Sequence, residues 1–175
     1  TYFYLLDEMR EILHTQGIIL SATIRLHQLR TAAPPVDRGV LMLYNTGSLK
    51  HPETQNSILS YVDAMPYLKR INYSLPLDYA FPNFGWGVWF RNKAFQAILH
   101  QQDYSDEDLY EQTDSTHYRV IKNHYNEGHW LICGDIIRKE ISDMVAIEQI
   151  KQHLPFSEAT SIIMYHLDEN NLKNL

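Results

Sequence analysis

Cysteine and long hydrophobic runs are scarce in this 175-residue sequence. Its one cysteine, Cys133, excludes an internal disulfide bond and a zinc site built on cysteines, and it leaves the redox compartment open. No apolar run approaches the roughly 20 residues that a membrane-spanning helix needs, so we expect no membrane span. Basic runs are missing too, and the formal net charge of −6 disfavours a nucleic-acid or anionic-membrane partner.

The sequence also lacks the short motifs of several enzyme classes. It contains no nucleophile elbow, no phosphate-binding loop, no dinucleotide-binding fingerprint and no zinc-ligand spacing, so we expect neither a cofactor nor a metal ion. The composition is that of a globular protein, with 45% hydrophobic and 21% charged residues. The sequence is well supplied with Tyr (12), Trp (3) and His (9), whose flat rings and polar tips suit sugar stacking as well as ordinary packing.

Strands that alternate with helices are the dominant pattern. Apolar and β-branched runs predict buried strands at 18–27, 39–44, 75–81 and 161–165. Helical spacing predicts helices at 2–16 with a Gly17 cap, at 52–65 until Pro66 interrupts, and at 142–154 with a Ser142 cap. This order indicates a parallel α/β sheet with right-handed crossovers.

The region 93–140 departs from this alternation. Residues 118–122 and 130–134 flank Asn126-Glu127-Gly128, which predicts an antiparallel hairpin. The acidic stretch 103–112 predicts one or two helical turns. We therefore expect a small α+β insertion between the last two parallel strands.

Four parallel strands with their helices make half of an eight-stranded barrel, which typically needs about 250 residues. We expect an α/β fold in which 1–175 is a single domain, the carboxyl-terminal half of a (β/α)8 TIM-type barrel with the hairpin inserted. Open sheet edges favour aggregation. The expected partner is therefore a missing amino-terminal half or a second copy of the chain.

Four stretches resemble the family-18 glycoside hydrolases, which are chitinase-like barrels. They are similar in turn to the family's fifth, sixth, seventh and eighth strands: Leu20–His27, Val36–Asn45, Leu75–Gly87 and Met164–Asp168. The sequence is also similar to a group of bacterial proteins that share the stretches Ser21–Gln28 and Val36–Gly39, glycosidase-like barrels without an assigned activity.

The resemblance implies a carbohydrate ligand and, in a complete barrel, glycoside hydrolysis. It implies that Tyr44 orients the acetamido group or carbonyl of the substrate and that the catalytic acid lies upstream of residue 1. Two residues depart from the family pattern: Asn45 replaces an acid and cannot exchange protons, and Tyr165 stands where a Trp usually lies beneath the sugar. From the resemblance alone we expect an exported or periplasmic protein.

Functional residues of a β/α barrel lie where its strands end. We predict the substrate-binding residues Arg25, His27, Gln28, Tyr44, Asn45, Asp78, Trp86, Tyr165 and His166, and assign no catalytic residue. Each also has a structural interpretation: a satisfied histidine, a packed ring or, for Asp78, an ion pair with a partner such as Arg25. His166 and Asp168 belong to one segment, which is too little to define a metal site.

Three hypotheses stay open. The first is a glycoside-hydrolase-like barrel segment that contributes substrate-binding residues. The second is a non-catalytic glycan-binding or scaffolding domain, because no pair of carboxylates stands at adjacent strand ends. The third is an unrelated α/β domain, which antiparallel or differently ordered main strands would establish.

Overall fold

The computed structural model describes residues 2–69 and 71–166. The chain divides into two compact units. The parallel unit contains the described residues of Thr1–Thr46, Leu59–Pro82 and Asp143–Leu175, and the antiparallel unit contains Gly47–Ile58 and Asn83–Ser142. The predicted organisation, a single domain at 1–175 with an insertion at 93–140, stays a prediction.

Three helices and eleven strands are present in the described residues. In chain order they are α1 (Tyr2–His14), β1 (Ser21–Arg25), β2 (Arg38–Met42), α2 (Tyr61–Leu68), β3 (Leu77–Pro82), β4 (Gly85–Arg91), β5 (Ala94–Leu99), β6 (Tyr110–Gln112), β7 (His117–Val120), β8 (His124–Asn126), β9 (His129–Leu131), β10 (Ile136–Ile141), α3 (Met144–Lys151) and β11 (Ile162–Tyr165). A 3₁₀ turn, Leu26–Arg30, follows β1 directly.

The sheet of the parallel unit has four strands in the order β1-β2-β3-β11, and every neighbouring pair is parallel. This is also their order along the chain, so each strand is added on the same side as the one before it. The predicted parallel α/β arrangement with four strands is confirmed. An unrelated fold with antiparallel or reordered main strands is not what the structure shows.

The core of the parallel unit lies between this sheet and the helices. The apolar runs around β1, β2 and β3 supply buried side chains to this core, whereas the four residues of β11 are exposed. The strands and the residues just after them bury Ile24, Leu41, Leu43, Tyr79 and Phe81, and the helices bury Ala64, Leu68, Ala146, Ile147 and Ile150. Helices α2 and α3 pack against each other.

Helix α1 ends as predicted but leaves its apolar face exposed. Gly17 adopts a left-handed φ of 70°, and its amide donates to the His14 carbonyl, as a helix-terminating glycine does. Leu6 is the buried residue of the helix. Leu5, Met9 and Ile12, whose spacing places them on one apolar face of the helix, are exposed.

Helix α2 begins later than the sequence predicted. The Ser60 hydroxyl accepts a hydrogen bond from the Asp63 amide and caps the helix at Tyr61, and Pro66 lies inside it. The predicted start at Pro52 is wrong, because 47–58 belongs to the antiparallel unit. There the amide and hydroxyl of Ser57 donate to the carboxylate of Glu140, a long-range contact that replaces helical hydrogen bonds.

Helix α3 is present where it was predicted, but its cap is Asp143 and not Ser142. The Asp143 carboxylate accepts hydrogen bonds from the amides of Val145 and Ala146. Ser142 is engaged elsewhere, because its hydroxyl donates to the Phe84 carbonyl and accepts from the Phe84 amide.

The antiparallel unit contains a five-stranded sheet, β5-β4-β10-β7-β6, and the hairpin β8-β9. Strand β4 pairs with β5 and β10, so this sheet also includes residues that precede Lys93. Its core holds Trp89, Leu99, Tyr104, Tyr110, Val120, Leu131 and Ile137. A buried ion pair joins Arg138 to Glu140 at 2.6 Å on β10.

The predicted hairpin has its turn in the right place and its strands in the wrong ones. The turn is at Glu127 and Gly128, both with positive φ, and the paired strands are β8 and β9. The predicted strand at 118–122 instead lies largely in β7, which pairs with β10 and β6. The predicted helical turns at 103–112 are replaced by irregular structure, a short turn and β6.

Candidate functional site

Side chains that follow β1 and β2 line one cleft of about 220 Å³ in the parallel unit. Arg25 ends β1 and His27 lies in the 3₁₀ turn after it, while Tyr44 and Asn45 follow β2. The two strands are parallel neighbours, so their carboxyl ends share one edge of the sheet. The structure therefore brings these four predicted site residues together, and the remaining walls are formed by Leu26, Met42, Thr46, Asp63 and Tyr67.

The turn after β1 is fixed by Gln28. Its side-chain oxygen accepts a hydrogen bond of 2.7 Å from the Arg25 amide, which closes the backbone at the strand end. Gln28 is not among the residues that line the cleft. Gln28 therefore stabilises the turn that positions Arg25 and His27. The sequence pattern did not distinguish this structural role from direct binding of a substrate.

Tyr44 is stacked on Tyr165, which ends β11. Their ring centroids are 5.0 Å apart and the rings are nearly parallel, at 3°. Burial, with a smaller contribution from Tyr165, raises the pKa of Tyr44, so its phenol stays protonated at neutral pH and can donate a hydrogen bond. His166 is tilted against Tyr165 at 5.1 Å, so the predicted residues after β11 lie near those after β2.

Asn45 adopts a left-handed backbone with φ of 55°, a conformation that Asn tolerates better than most residues. The next residue, Thr46, accepts a hydrogen bond of 2.7 Å from the Ser60 amide through its hydroxyl oxygen. This contact ties the end of β2 to the start of α2. This part of the cleft wall is thus held by a hydrogen bond between two elements of the parallel unit.

Asp63 is a cleft residue that the sequence reasoning missed. It lies in the first turn of α2, its side chain is exposed, and it lines the cleft with Arg25 and Tyr44. The signal was present, because Ser60-Tyr61-Val62-Asp63 has the Ser-x-x-Asp spacing of a helix start. The incorrect start at Pro52 placed Asp63 near a helix end instead.

Asp78 lies away from the cleft. It is the second residue of β3, and its carboxylate accepts two hydrogen bonds from Arg38 at 2.6 and 2.8 Å and one from the Ser161 amide. The suggested partner, Arg25, is not the one it uses. These contacts, with the Arg38 hydrogen bonds the largest, lower the pKa of Asp78, which keeps it charged and makes it a poor proton donor.

Trp86 belongs to the antiparallel unit. It lies on β4, and its indole N–H donates to the Glu140 carboxylate at 2.9 Å. Its ring also packs against Phe84, with centroids 5.2 Å apart. The stacking role predicted for Trp86 therefore has no support from contacts within its own unit.

Several aspartates have a pKa below the ordinary value of an aspartate, because hydrogen bonds or ion pairs stabilise the charged carboxylate. They are Asp37, Asp78, Asp103, Asp114 and Asp135. These groups stay ionised at neutral pH and do not serve as general acids. Among the described residues no group of three or more His, Cys, Asp or Glu is placed to hold a metal ion, and Asp168 lies outside them.

Comparisons with known proteins show the fold. No family model matches the sequence, and no curated protein matches it. The Bacillus cereus spore cortex-lytic enzyme SleL is similar in structure, with 14% identity and a TM-score of 0.51 over 94% of this chain and 40% of that one. The predicted resemblance to the family-18 glycoside hydrolase fold is confirmed at the level of the fold.

Two chitinases are more distant in structure. The class V chitinase of Nicotiana tobaccum has 14% identity and a TM-score of 0.47 over 97% of this chain and 60% of that one. The group IV chitinase of Ostrinia furnacalis has 13% identity and a TM-score of 0.48 over 99% and 57%. The chain thus spans 40% to 60% of the length of these solved structures.

The described helices are too short or too polar to cross a membrane.

Proposed function

We propose that this chain is the carboxyl-terminal half of a (β/α)8 barrel that binds a glycan at the carboxyl ends of its strands. In this proposal the catalytic acid of a glycoside hydrolase is supplied by a segment that precedes residue 1. The likeness in fold to SleL supports a carbohydrate-active fold, and the chain spans 40% of that protein.

The strand order supports the half-barrel. A barrel adds each parallel strand beside the previous one, whereas a doubly wound sheet reverses direction, and β1-β2-β3-β11 follows the barrel pattern. Within the described residues the outer edges of β1 and β11 pair with no strand. All four residues of β11 are exposed, as they would be if the strand that closes the barrel were missing.

The cleft is the observation that carries the proposal. Arg25, His27, Tyr44 and Asn45 come from two strand ends and converge on one concavity that also has aromatic walls. Ligand sites of β/α barrels lie at this end of the strands. Polar groups beside aromatic rings are suited to the hydroxyls and the C–H faces of a sugar.

Each of these residues has a task in binding. The protonated Tyr44 phenol donates a hydrogen bond to a substrate carbonyl or hydroxyl, while Arg25, His27 and Asn45 bind further oxygens. Glycoside hydrolysis also needs a carboxylic acid that protonates the leaving oxygen. Asn45 cannot supply that proton, so in this proposal the acid comes from the preceding half.

A binding titration tests the proposal on the chain as it stands. Calorimetry with the tetramer of N-acetylglucosamine should give saturable binding, and Tyr44→Phe should weaken it about threefold to tenfold, the value of one hydrogen bond. Tyr125→Phe is the matched control, because Tyr125 is 73% exposed and lies in the antiparallel unit. Absence of saturable binding, or equal loss in both variants, would contradict the proposed site.

A non-catalytic glycan-binding or scaffolding domain is the second candidate. Asn45 favours it, and so do the lowered pKa values of Asp78 and the other paired aspartates. The two candidates differ in one result. The complete natural protein hydrolyses the same tetramer if the first is right, and binds it without cleavage if the second is right.

A further inference from the structure

The guanidinium of Arg25 differs from those of the other described arginines, because it forms no ion pair and stacks on no ring within the described residues. Arg30 donates to the Pro66 carbonyl and lies over the Tyr67 ring. The rest pair with carboxylates: Arg10 with Asp7, Arg38 with Asp78, Arg91 with Asp135, Arg119 with Glu111 and Arg138 with Glu140. The guanidinium of Arg25 has no ion pair and no stacking ring among the described residues, yet it lines the cleft.

Asp63 is a second charged residue of the same cleft, and the described residues supply no ion-pair partner for it. It forms no ion pair within the described part of the chain, with Arg25 or with any other cation. Arg25 is at the end of β1, and Asp63 is in the first turn of α2. The cleft therefore carries a positive group from one element and a negative group from another, and the two do not neutralise each other by direct contact.

We propose that Arg25 and Asp63 make this cleft selective for a glycan that carries a carboxylate. The inference rests on the proposed glycan-binding function and specifies its substrate class. Guanidinium groups bind carboxylates through two parallel hydrogen bonds, which are stronger than those to neutral oxygens. Asp63 repels the carboxylate from its own side and accepts hydrogen bonds from sugar hydroxyls or amide N–H groups, so the ligand is bound in one orientation.

Two probes of equal length test the inference. The neutral probe is the tetramer of N-acetylglucosamine, and the acidic probe is the tetramer in which N-acetylglucosamine alternates with N-acetylmuramic acid. Calorimetry on the wild-type chain should show about tenfold tighter binding of the acidic probe. Raising NaCl from 50 to 500 mM should reduce this preference, because salt screens an exposed ion pair.

Variants distinguish loss of carboxylate recognition from a general loss of glycan affinity. Arg25→Gln should reduce the affinity for the acidic probe about tenfold more than the affinity for the neutral probe and so remove the preference, whereas Arg25→Lys should retain part of it. Asp63→Asn should weaken binding of the neutral probe, and it should weaken binding of the acidic probe less, because it also removes the charge that repels the carboxylate. Arg119→Gln is the matched control, because Arg119 is in the antiparallel unit and pairs with the exposed Glu111.

The outcomes distinguish this inference from the proposed function. Equal affinity of the wild-type chain for both probes, or equal loss for both in Arg25→Gln, overturns the selectivity and leaves glycan binding intact. If neither probe binds, the proposed function fails and the inference fails with it.

Discussion

Asp63 and Asp78 show how the surroundings of a residue decide its role. Both are aspartates of the parallel unit. Asp78 accepts hydrogen bonds from Arg38 and Ser161 at the amino end of β3, whereas Asp63 has no ion-pair partner among the described residues and lines the cleft. The sequence placed Asp78 in the site and overlooked Asp63. An acidic residue within an apolar run is readily predicted to be a site residue. Its ion-pair partner lies 40 residues away in the sequence and is identified only from the folded structure.

Asp78 should make stability depend on acid pH. Its pKa is lowered in the folded protein, chiefly by the Arg38 hydrogen bonds. Its stabilising contribution is therefore present above the unfolded pKa of about 3.9 and is lost as the pH falls towards the lower folded value. Urea unfolding between pH 7 and pH 3 should show Asp78→Asn less stable at pH 7 by about 1–3 kcal/mol, with the difference shrinking at acid pH.

Asp63→Asn is the matched control for this measurement, because Asp63 makes no ion pair with any described residue. Its free energy of unfolding should stay within about 1 kcal/mol of the wild-type value from pH 7 to pH 3, because an acid in the first turn of a helix contributes only through the helix dipole. A constant gap between wild type and Asp78→Asn from pH 7 to pH 3 would contradict the assignment of the pH dependence to this carboxylate.

Element boundaries depend on which polar groups are free to cap them. Helix α3 was correctly expected from its apolar spacing, but Ser142 is bonded to Phe84 and Asp143 caps the helix instead. Helix α2 likewise begins at the Ser60 cap because 47–58 is engaged with β10 through Glu140. The local apolar spacing predicts that a helix forms. Its first residue depends on which polar groups are already hydrogen-bonded to other segments.

The cap of α3 can be tested directly. Asp143→Ala removes the acceptor for the Val145 and Ala146 amides and should destabilise the start of the helix by about 1 kcal/mol. Hydrogen exchange measured residue by residue should therefore be about fivefold faster at these two amides.

Glu148→Ala is the control for the cap, because Glu148 makes an exposed ion pair with Lys151 in the same helix. Such a pair contributes little, so exchange at the first turn should stay at the wild-type rate. Equal acceleration in both variants would show that general helix loss, and not the cap, accounts for the change.

Within the described residues, the parallel unit presents two sheet edges that pair with no strand, and it has exposed apolar surface. Ile162, Ile163, Met164 and Tyr165 of β11 are between 38% and 50% exposed, and α1 exposes Leu5 and Ile12. Exposed edges with apolar side chains promote association between chains. This is the physical basis for proposing that another half-barrel covers these edges.

The 175-residue chain alone should therefore self-associate through β11. Ile163→Lys places a charge on the edge strand and should lower the association constant about tenfold or more, measured by sedimentation velocity over a range of concentrations. Ile121→Lys is the control, since Ile121 is similarly exposed, at 40%, but lies in the antiparallel unit. A monomeric wild-type chain, or equal effects of the two lysines, would contradict this prediction.

The sequence by itself determined the four parallel strands, the helices between them and the resemblance to the glycoside hydrolase fold. These follow from apolar spacing and from strand-end residues, which are local in the chain. The cleft contains Arg25, His27, Tyr44 and Asn45, which lie at or just after the ends of two predicted strands. Tertiary structure alone decided the Arg38 partner of Asp78, the place of Trp86 in the antiparallel unit and the presence of Asp63 in the cleft. Each depends on contacts between segments far apart in the chain, which local periodicity does not encode.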